Sequence, residues 1–64
     1  MVKVNGEELA LEGVVLENWL REAGYDLRRV AVERNGEIVP RKSYGETVLA
    51  SGDMVEVVSF VGGG

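Results

Sequence analysis

The sequence contains no cysteine and no histidine among its 64 residues. Without cysteine, the chain has no disulfide bond, no thiolate nucleophile and no cysteine-ligated metal site. Without histidine, it lacks the side chain that most often serves as a general base near neutral pH and as a metal ligand. Its serine and threonine hydroxyls therefore have no histidine to activate them, and we do not expect the chain to be an enzyme.

Long apolar runs and a basic charge balance are also missing. No stretch approaches the roughly 18 consecutive apolar residues of a membrane span. The first residues lack the apolar core of a secretory signal, so we expect a cytoplasmic protein without a membrane partner. Seven basic residues stand against eleven acidic ones, and this net charge of −4 argues against nucleic acid as a partner.

The first half of the sequence has the pattern of a hairpin followed by a helix. Val2 and Val4 alternate with polar residues, and the alternation resumes after the dipeptide Asn5-Gly6, which is typical of a tight type I′ turn. Residues 14–23 change to helical spacing, although Val14 and its valine neighbour are poor residues for a helix start. The apolar helical face consists of Leu16, Trp19, Leu20 and Ala23.

The second half is predicted to contain a strand, a second Asn-Gly turn, a short strand, an irregular connector with one turn of helix, and a last strand. These elements span residues 27–34, 35–36, 37–39, 41–50 and 54–61, respectively. The last strand is the most apolar, so we place it in the centre of the sheet beside the first strand. The predicted fold class is α+β, a mixed sheet of about five strands with one helix across one face.

Three glycines follow the last strand. A strand needs side chains that fit a pleated surface, whereas glycine has none and loses the most backbone freedom when it is ordered. We therefore divide the chain into a domain of residues 1–61 and a tail of Gly62, Gly63 and Gly64. The tail is either a frayed end or a narrow stalk that delivers the α-carboxylate of Gly64 to an enzyme.

The last strand also predicts a docking surface. If Val55 and Val57 point toward the helix, the alternate residues point away from it onto an open face. An exposed apolar patch often marks a docking site. The alternatives are that the connector around Tyr44 covers this patch, or that a shift of one residue exchanges the two faces. The candidate docking residues are Met54, Val58 and Phe60, with Glu56 among them.

Five of the seven basic residues are concentrated in one segment, between positions 28 and 42. Such a segment can give the domain a positive edge that orients a partner. The simpler interpretation is that these side chains are solvated. The residues are Arg28, Arg29, Arg34, Arg41 and Lys42.

Several of these features together resemble one known family. The run Asn-Gly-Glu-Ile-Val-Pro-Arg at residues 35–41, Leu49, and Gly52-Asp53 before a valine-rich strand and a Gly-Gly terminus are similar to the thiamine-biosynthesis sulfur carrier family, ThiS. The resemblance covers nearly the whole chain. Val14 departs from it where a capping-type polar residue is common, and the tail has three glycines where two would suffice.

The resemblance implies a ubiquitin-like β-grasp fold and a carrier with no bound cofactor. It implies that a ThiF-like adenylating enzyme activates the Gly64 carboxylate with ATP. Sulfur from a donor such as a cysteine desulfurase then converts the carboxylate to a thiocarboxylate, which a ThiG-like thiazole synthase uses to build the thiazole of thiamine. Gly62 and Gly63 would thread into these enzymes.

Four alternatives remain open at this point. A molybdopterin-type sulfur carrier shares the fold and tail but is usually longer. A carrier for a tungsten cofactor or for amino-acid synthesis is a second possibility. A ubiquitin-like modifier that is joined to lysines of target proteins is a third, and a β-grasp binding module with an idle tail is a fourth.

Overall fold

The computed structural model describes residues 1–60 of the chain. In chain order, its elements are β1 (Val2–Val4), β2 (Glu7–Leu9), α1 (Leu16–Glu22), β3 (Val30–Arg34), β4 (Glu37–Val39) and β5 (Met54–Ser59). Two 3₁₀ helices, Leu27–Arg29 and Arg41–Glu46, lie in the connections. The strands form one sheet in the order β2-β1-β5-β3-β4. The predicted α+β class is confirmed.

β5 is the central strand, as predicted. It pairs in parallel with β1, where Lys3 lies opposite Met54, and antiparallel with β3, where Val32 lies opposite Val57. The strand ends at Ser59, although the Phe60 N–H still donates to the Arg29 carbonyl at 2.6 Å. The predicted last strand residue, at position 61, and the predicted tail lie outside the described residues.

Both Asn-Gly dipeptides form the predicted hairpin turns. Asn5 and Asn35 have positive φ angles of 50° and 53°, and the glycines that follow them both have φ of 85°. Positive φ at both central residues is what a type I′ turn requires, and asparagine and glycine tolerate it best. The turns set the registers of β1 with β2 and of β3 with β4.

The helix begins at Leu16, so the prediction that it begins at residue 14 is wrong. Val15 forms a bridge with Val48, and the Leu49 N–H donates to the Val14 carbonyl at 2.9 Å. Val14 and Val15 are extended because they pair with the chain that follows the second 3₁₀ helix. Val15 caps the helix without any side-chain hydrogen bond. The helix therefore starts without a polar N-cap residue, because the bridge between Val15 and Val48 fixes this position instead.

The helix ends where the sequence predicts, at a glycine. Gly24 has φ of 90°, and the Tyr25 N–H donates to the Leu20 carbonyl at 2.9 Å, which is the Schellman arrangement. The rings of Trp19 and Tyr25 lie 5.9 Å apart at the same helix end. Of the helices within residues 1–60, none has the length and apolar character needed to cross a membrane.

The predicted strand over residues 27–34 is correct only in its second part. Asp26 accepts a hydrogen bond from the Arg28 N–H at 2.9 Å, and its carbonyl accepts one from the Arg29 N–H at 2.8 Å. An aspartate in this position favours a turn over an extended chain. Leu27–Arg29 is therefore a 3₁₀ helix, and the strand begins at Val30.

The core lies between α1 and the sheet. Tyr44, from the second 3₁₀ helix, is among its largest buried side chains, and its hydroxyl is 3.5 Å from the Val30 carbonyl. Burial raises the pKa of Tyr44, although the nearby charge of Arg41 partly opposes this. The burial of each Leu or Val side chain in this core contributes about 1.5–3 kcal/mol to the free energy of unfolding. The buried apolar residues are Val2, Val4, Leu16, Leu20, Val30, Val32, Tyr44, Leu49, Val55 and Val57.

Candidate functional site

The two faces of β5 differ as the sequence predicts. Val55 and Val57 face the core and are 2% and 7% exposed. On the opposite side Met54 and Val58 are 60% and 56% exposed, and Phe60, just beyond the strand, is 57% exposed. The alternative of a register shifted by one residue is therefore wrong. So is the alternative that the connector covers this face, because Tyr44 is packed in the core instead.

The uncovered side of the sheet, which we call the open face, includes an apolar patch that the sequence pattern predicts only in part. Val58 lies opposite Ala31 of β3, and Ile38 of β4 is 66% exposed beside Glu33. We call Ala31, Ile38 and Val58 the apolar patch. Ile38 was missed, although the register set by the second Asn-Gly turn places it on this face.

The structure does not bring all three predicted docking residues together. Met54 lies at the start of β5, beside Lys3, and Val58 is four positions further along the strand. At the rise of a strand, this separation is about 13 Å. Glu56 lies between them on the same face. Val58 and Phe60 therefore lie at the end of β5 that leads toward the tail, whereas Met54 lies at the other end.

Near that end of β5, an asparagine side chain takes the place of a strand partner. β1 stops at Val4, but the Asn5 side-chain oxygen accepts a hydrogen bond from the Val57 N–H at 2.8 Å. The Asn5 amide nitrogen donates to the Val57 carbonyl at 3.2 Å. Asn5 thus continues the hydrogen bonding of β1 by one more residue. The sequence predicts the turn at this asparagine but does not reveal its amide contacts, which join residues 52 positions apart.

The other end of β5 is fixed by a buried carboxylate. Asp53 is 7% exposed and accepts hydrogen bonds from Arg34 Nε at 2.9 Å, from Asn35 Nδ2 at 3.0 Å and from the Ala50 N–H at 2.8 Å. The side-chain oxygen of Asn35 accepts from the Met54 N–H at 2.9 Å. We call Arg34, Asn35 and Asp53 the Asp53 network. It gives a structural role to Asn35 and Asp53, two of the residues that carry the family resemblance.

The environment of Asp53 favours its ionised form. Burial is the largest influence and by itself raises the pKa of this carboxyl. Hydrogen bonds from the Ala50 N–H, Asn35 and Arg34, together with the Arg34 charge, outweigh it, so that the pKa lies below the usual value. Asp53 is therefore a charged structural anchor at neutral pH.

Several members of the basic segment are engaged within the domain. Arg34 belongs to the Asp53 network, Arg29 forms an ion pair with Asp26 at 3.6 Å, and Arg41 donates to the Arg28 carbonyl at 3.1 Å. The prediction that this segment orients a partner stays a prediction. Acidic side chains within residues 1–60 do not gather in groups of three or more that could hold a metal ion.

The residues predicted to carry the chemistry, Gly62, Gly63 and Gly64, lie outside the described part of the chain. What the structure does place is the strand that leads to them, up to Phe60. This strand is held on one side by β3 and on the other by β1 and Asn5. The last described residue is therefore attached to the best-supported strand of the sheet.

A mixed five-stranded sheet with parallel β1 and β5 at its centre and one helix across one face is a ubiquitin-like β-grasp fold. Residues 1–64 match the sequence model described as "ThiS family". The chain belongs to the ThiS family.

Relatives of the same length support this assignment. The "Sulfur carrier protein ThiS" of Thermus thermophilus is 42% identical over 64 residues, and the match covers 100% of both chains. The crystal structure of a thiamine biosynthesis protein (ThiS) from Geobacter metallireducens is similar with a TM-score of 0.76 and 31% identity. That similarity covers 98% of this chain and 97% of the other.

Longer relatives contain a similar segment. A protein named "Thiazole synthase" from Paramagnetospirillum magneticum is 48% identical over 62 residues, which are 95% of this chain. This chain spans only 19% of the length of that relative and 20% of the length of a second thiazole synthase, from Magnetococcus marinus. Similarity to this chain therefore occurs both in proteins of its own size and within much larger ones.

Proposed function

We propose that this protein is a sulfur carrier of thiamine biosynthesis that acts through the α-carboxylate of Gly64. The observation that carries the proposal is the match over residues 1–64 to the ThiS family, with an equally long relative named a sulfur carrier. An adenylating enzyme activates the carboxylate with ATP, and sulfur then replaces one of its oxygens. The resulting thiocarboxylate donates sulfur for thiazole formation.

The proposed chemistry has two stages, activation of the carboxylate and transfer of sulfur. In the first, a carboxylate oxygen attacks the α-phosphorus of ATP, which forms an acyl-adenylate and releases pyrophosphate. In the second, the outer sulfur of a cysteine persulfide on the donor attacks the acyl carbon and AMP leaves, which forms an acyl disulfide. A thiol of a partner enzyme then attacks the donor-side sulfur, so that a disulfide forms between the enzyme thiols and the thiocarboxylate is released. The chain has no cysteine and no histidine to assist either step. The catalytic groups are therefore supplied by the adenylating enzyme and by a sulfur donor such as a cysteine desulfurase.

We assign different roles to the folded domain and to the glycine tail. We assign residues 1–61 to a rigid domain and residues 62–64 to a tail that enters partner enzymes. Gly62 and Gly63 have no Cβ atom, so a channel that receives them can be narrower than one that admits any other residue. β5 supports this assignment because β1 and the Asn5 amide hold it as far as Val57, and β3 holds it as far as Ser59.

The open face is proposed as the surface on which partner enzymes dock. Val58 and Phe60 are exposed near the end of β5, and Met54 is exposed separately near the start of the strand. Exposed apolar side chains that lie close together favour docking over solvation, so Val58 and Phe60 are proposed as the main contact and Met54 as a second one. Thiazole synthase is the second proposed partner, and the similarity of this chain to a segment of proteins that bear that name supports it.

The first experiment measures the intact mass of the protein isolated from its native cells. We expect a population whose mass corresponds to the replacement of one oxygen by sulfur. A ladder of adducts joined to lysines of other proteins would instead identify a ubiquitin-like modifier. A mass free of both changes under thiamine starvation would contradict the carrier function.

The second experiment tests the terminus itself. Deletion of Gly64, or addition of one alanine after it, should abolish complementation of a strain that lacks its thiazole-forming carrier. The melting temperature should not change, because neither variant alters residues 1–60. Glu22→Gln, an exposed change on the helix, is the matched control and should complement normally. Complementation by either tail variant would overturn the proposed role of Gly64.

A further inference from the structure

Two glutamates face each other across the centre of the open face. Glu33 of β3 lies directly opposite Glu56 of β5. The Asn35 N–H bonds to the Met54 carbonyl and the Phe60 N–H to the Arg29 carbonyl, so the alternation of the antiparallel ladder makes Glu33 and Glu56 a hydrogen-bonded pair. In such a pair the Cα atoms are about 5.5 Å apart, and both side chains project from the same face. Like charges directly opposite each other destabilise a sheet.

No cation of the described chain neutralises this pair. The four ion pairs found within residues 1–60 involve other carboxylates, namely those of Glu12, Glu17, Asp26 and Asp53. Lys3 lies on the open face opposite Glu8 and Met54. Arg29 lies opposite Phe60 and forms an ion pair with Asp26, so neither cation lies opposite a member of the pair. The repulsion between Glu33 and Glu56 therefore destabilises the free protein, and no ion pair within residues 1–60 compensates for it.

The pair lies within the surface that a partner must approach. Glu33, Glu56 and the apolar patch of Ala31, Ile38 and Val58 line one shallow depression on the open face. Phe60 is followed by four residues, which reach at most about 14 Å however they are arranged. An enzyme that encloses the Gly64 carboxylate must therefore come within about 14 Å of Phe60. Val58, which lines the depression, lies two residues before Phe60.

We propose, on the basis of the function proposed above, that the depression receives a basic side chain from the adenylating enzyme. When an enzyme covers the apolar patch, it also removes water from Glu33 and Glu56. Two desolvated carboxylates without a counterion are strongly unfavourable, so the enzyme surface that fits here must supply a positive charge. An arginine is the best match, because its planar guanidinium can bond to two carboxylates at once.

The need for a positive charge at this position allows Glu33 and Glu56 to discriminate between partner proteins. A neutral or acidic surface of similar shape is rejected, because it leaves both carboxylates buried and unpaired. A basic one is attracted from a distance before contact, which raises the rate of association at low salt. The repulsion in the free protein is thereby relieved only in the complex.

The test uses two double variants of the full chain. Glu33→Gln/Glu56→Gln neutralises the pair, and Glu22→Gln/Glu46→Gln removes the same amount of charge from exposed positions on α1 and the second 3₁₀ helix. Stopped-flow mixing with the purified adenylating enzyme from the same genome gives association rates over a range of NaCl concentrations. ATP-dependent pyrophosphate release is measured in parallel.

We expect Glu33→Gln/Glu56→Gln to associate roughly 10-fold more slowly than Glu22→Gln/Glu46→Gln at low salt, with the difference shrinking as salt screens the charges. The free Glu33→Gln/Glu56→Gln protein should melt no lower than the wild type. Three results would overturn this inference: equal association rates for the two variants, a difference in rate that salt does not change, or a lower melting temperature for Glu33→Gln/Glu56→Gln. If the wild type still releases pyrophosphate in that case, the proposed carrier function is unaffected. If the wild type neither binds the enzyme nor releases pyrophosphate, both proposals are wrong.

Discussion

The two Asn-Gly turns share a dipeptide and a backbone conformation, but the domain uses their asparagines differently. The Asn5 side chain hydrogen-bonds only to the backbone of β5, at Val57, through both the oxygen and the nitrogen of its amide. Asn35 contacts the backbone of β5 at Met54 and also the carboxylate of Asp53, which is bound to Arg34. One asparagine therefore acts alone and the other acts as a member of a charged network. Identical local sequence thus predicts the same turn but not the same contribution to stability.

The largest effect should come from the centre of the Asp53 network. Asp53→Ala leaves Arg34, Asn35 and the Ala50 N–H without their acceptor, so we expect the free energy of unfolding to fall by about 2–3 kcal/mol. Urea denaturation measures this loss. Glu46→Ala, at an exposed position, is the control and should change the same quantity by less than about 0.5 kcal/mol. A loss for Asp53→Ala as small as the control would show that the network does not stabilise the domain.

The second effect separates the two asparagines by their coupling to Asp53. Asn35→Gly should cost about 2 kcal/mol, and in the double variant with Asp53→Ala the costs should not add, with a coupling energy of about 0.5–2 kcal/mol. Asn5→Gly and Asp53→Ala should add within about 0.5 kcal/mol, because their hydrogen bonds share no group. Two double-mutant cycles in urea measure both couplings. Equal couplings for Asn5 and Asn35 would remove the difference between the turns.

The third effect is local and smaller. Asn5→Gly, which accepts the positive φ of this position without strain, removes two hydrogen bonds from the backbone of Val57 and should cost about 1 kcal/mol of unfolding free energy. The Val57 amide should then exchange with deuterium faster, whereas the Met54 amide should keep its protection. Asn35→Gly should produce the reverse pattern, because the Asn35 side chain accepts from Met54. Uniform acceleration at both amides would mean that neither asparagine acts locally.

The smallest effect should appear in acid. The pKa of Asp53 is lower in the folded protein than in the unfolded chain, so its ionisation stabilises the fold fully above the unfolded value of about 3.9. This contribution is lost as pH falls from there through the folded pKa. Stability measured from pH 6 down to pH 2 should therefore decline more steeply for the wild type than for Asp53→Asn below about pH 4. Parallel curves would contradict the assigned pKa direction.

Local patterns predicted those parts of the fold that local forces determine. The Asn-Gly turns, the glycine that ends the helix and the alternation of Val55 and Val57 depend on neighbouring residues, and the structure confirms them. The helix start was misplaced because Val15 pairs with Val48, far along the chain. The side-chain contacts of Asn5 and Asn35 were missed for the same reason, since they join residues 52 and 18 positions apart.

The same distinction between local and long-range contacts applies to the candidate site. That Val58 and Phe60 are exposed followed from the alternation of one strand. The acidic pair and the exposed Ile38 required the register of three strands, which no single segment of the sequence reports. The assignments of Gly62, Gly63 and Gly64 remain predictions, and the mass measurement described above tests them directly.

The parallel pairing of β1 with β5 has a practical consequence for handling the protein. Because the two strands run in the same direction, Met1 lies beside Gly52, whose N–H donates to the Met1 carbonyl at 2.9 Å. Phe60 lies six residues further along β5 than Met54, or about 20 Å away at the rise of a strand. A purification tag or fused domain attached ahead of Met1 therefore emerges at the opposite end of the sheet from Val58 and Phe60, the residues proposed to dock the partner enzymes.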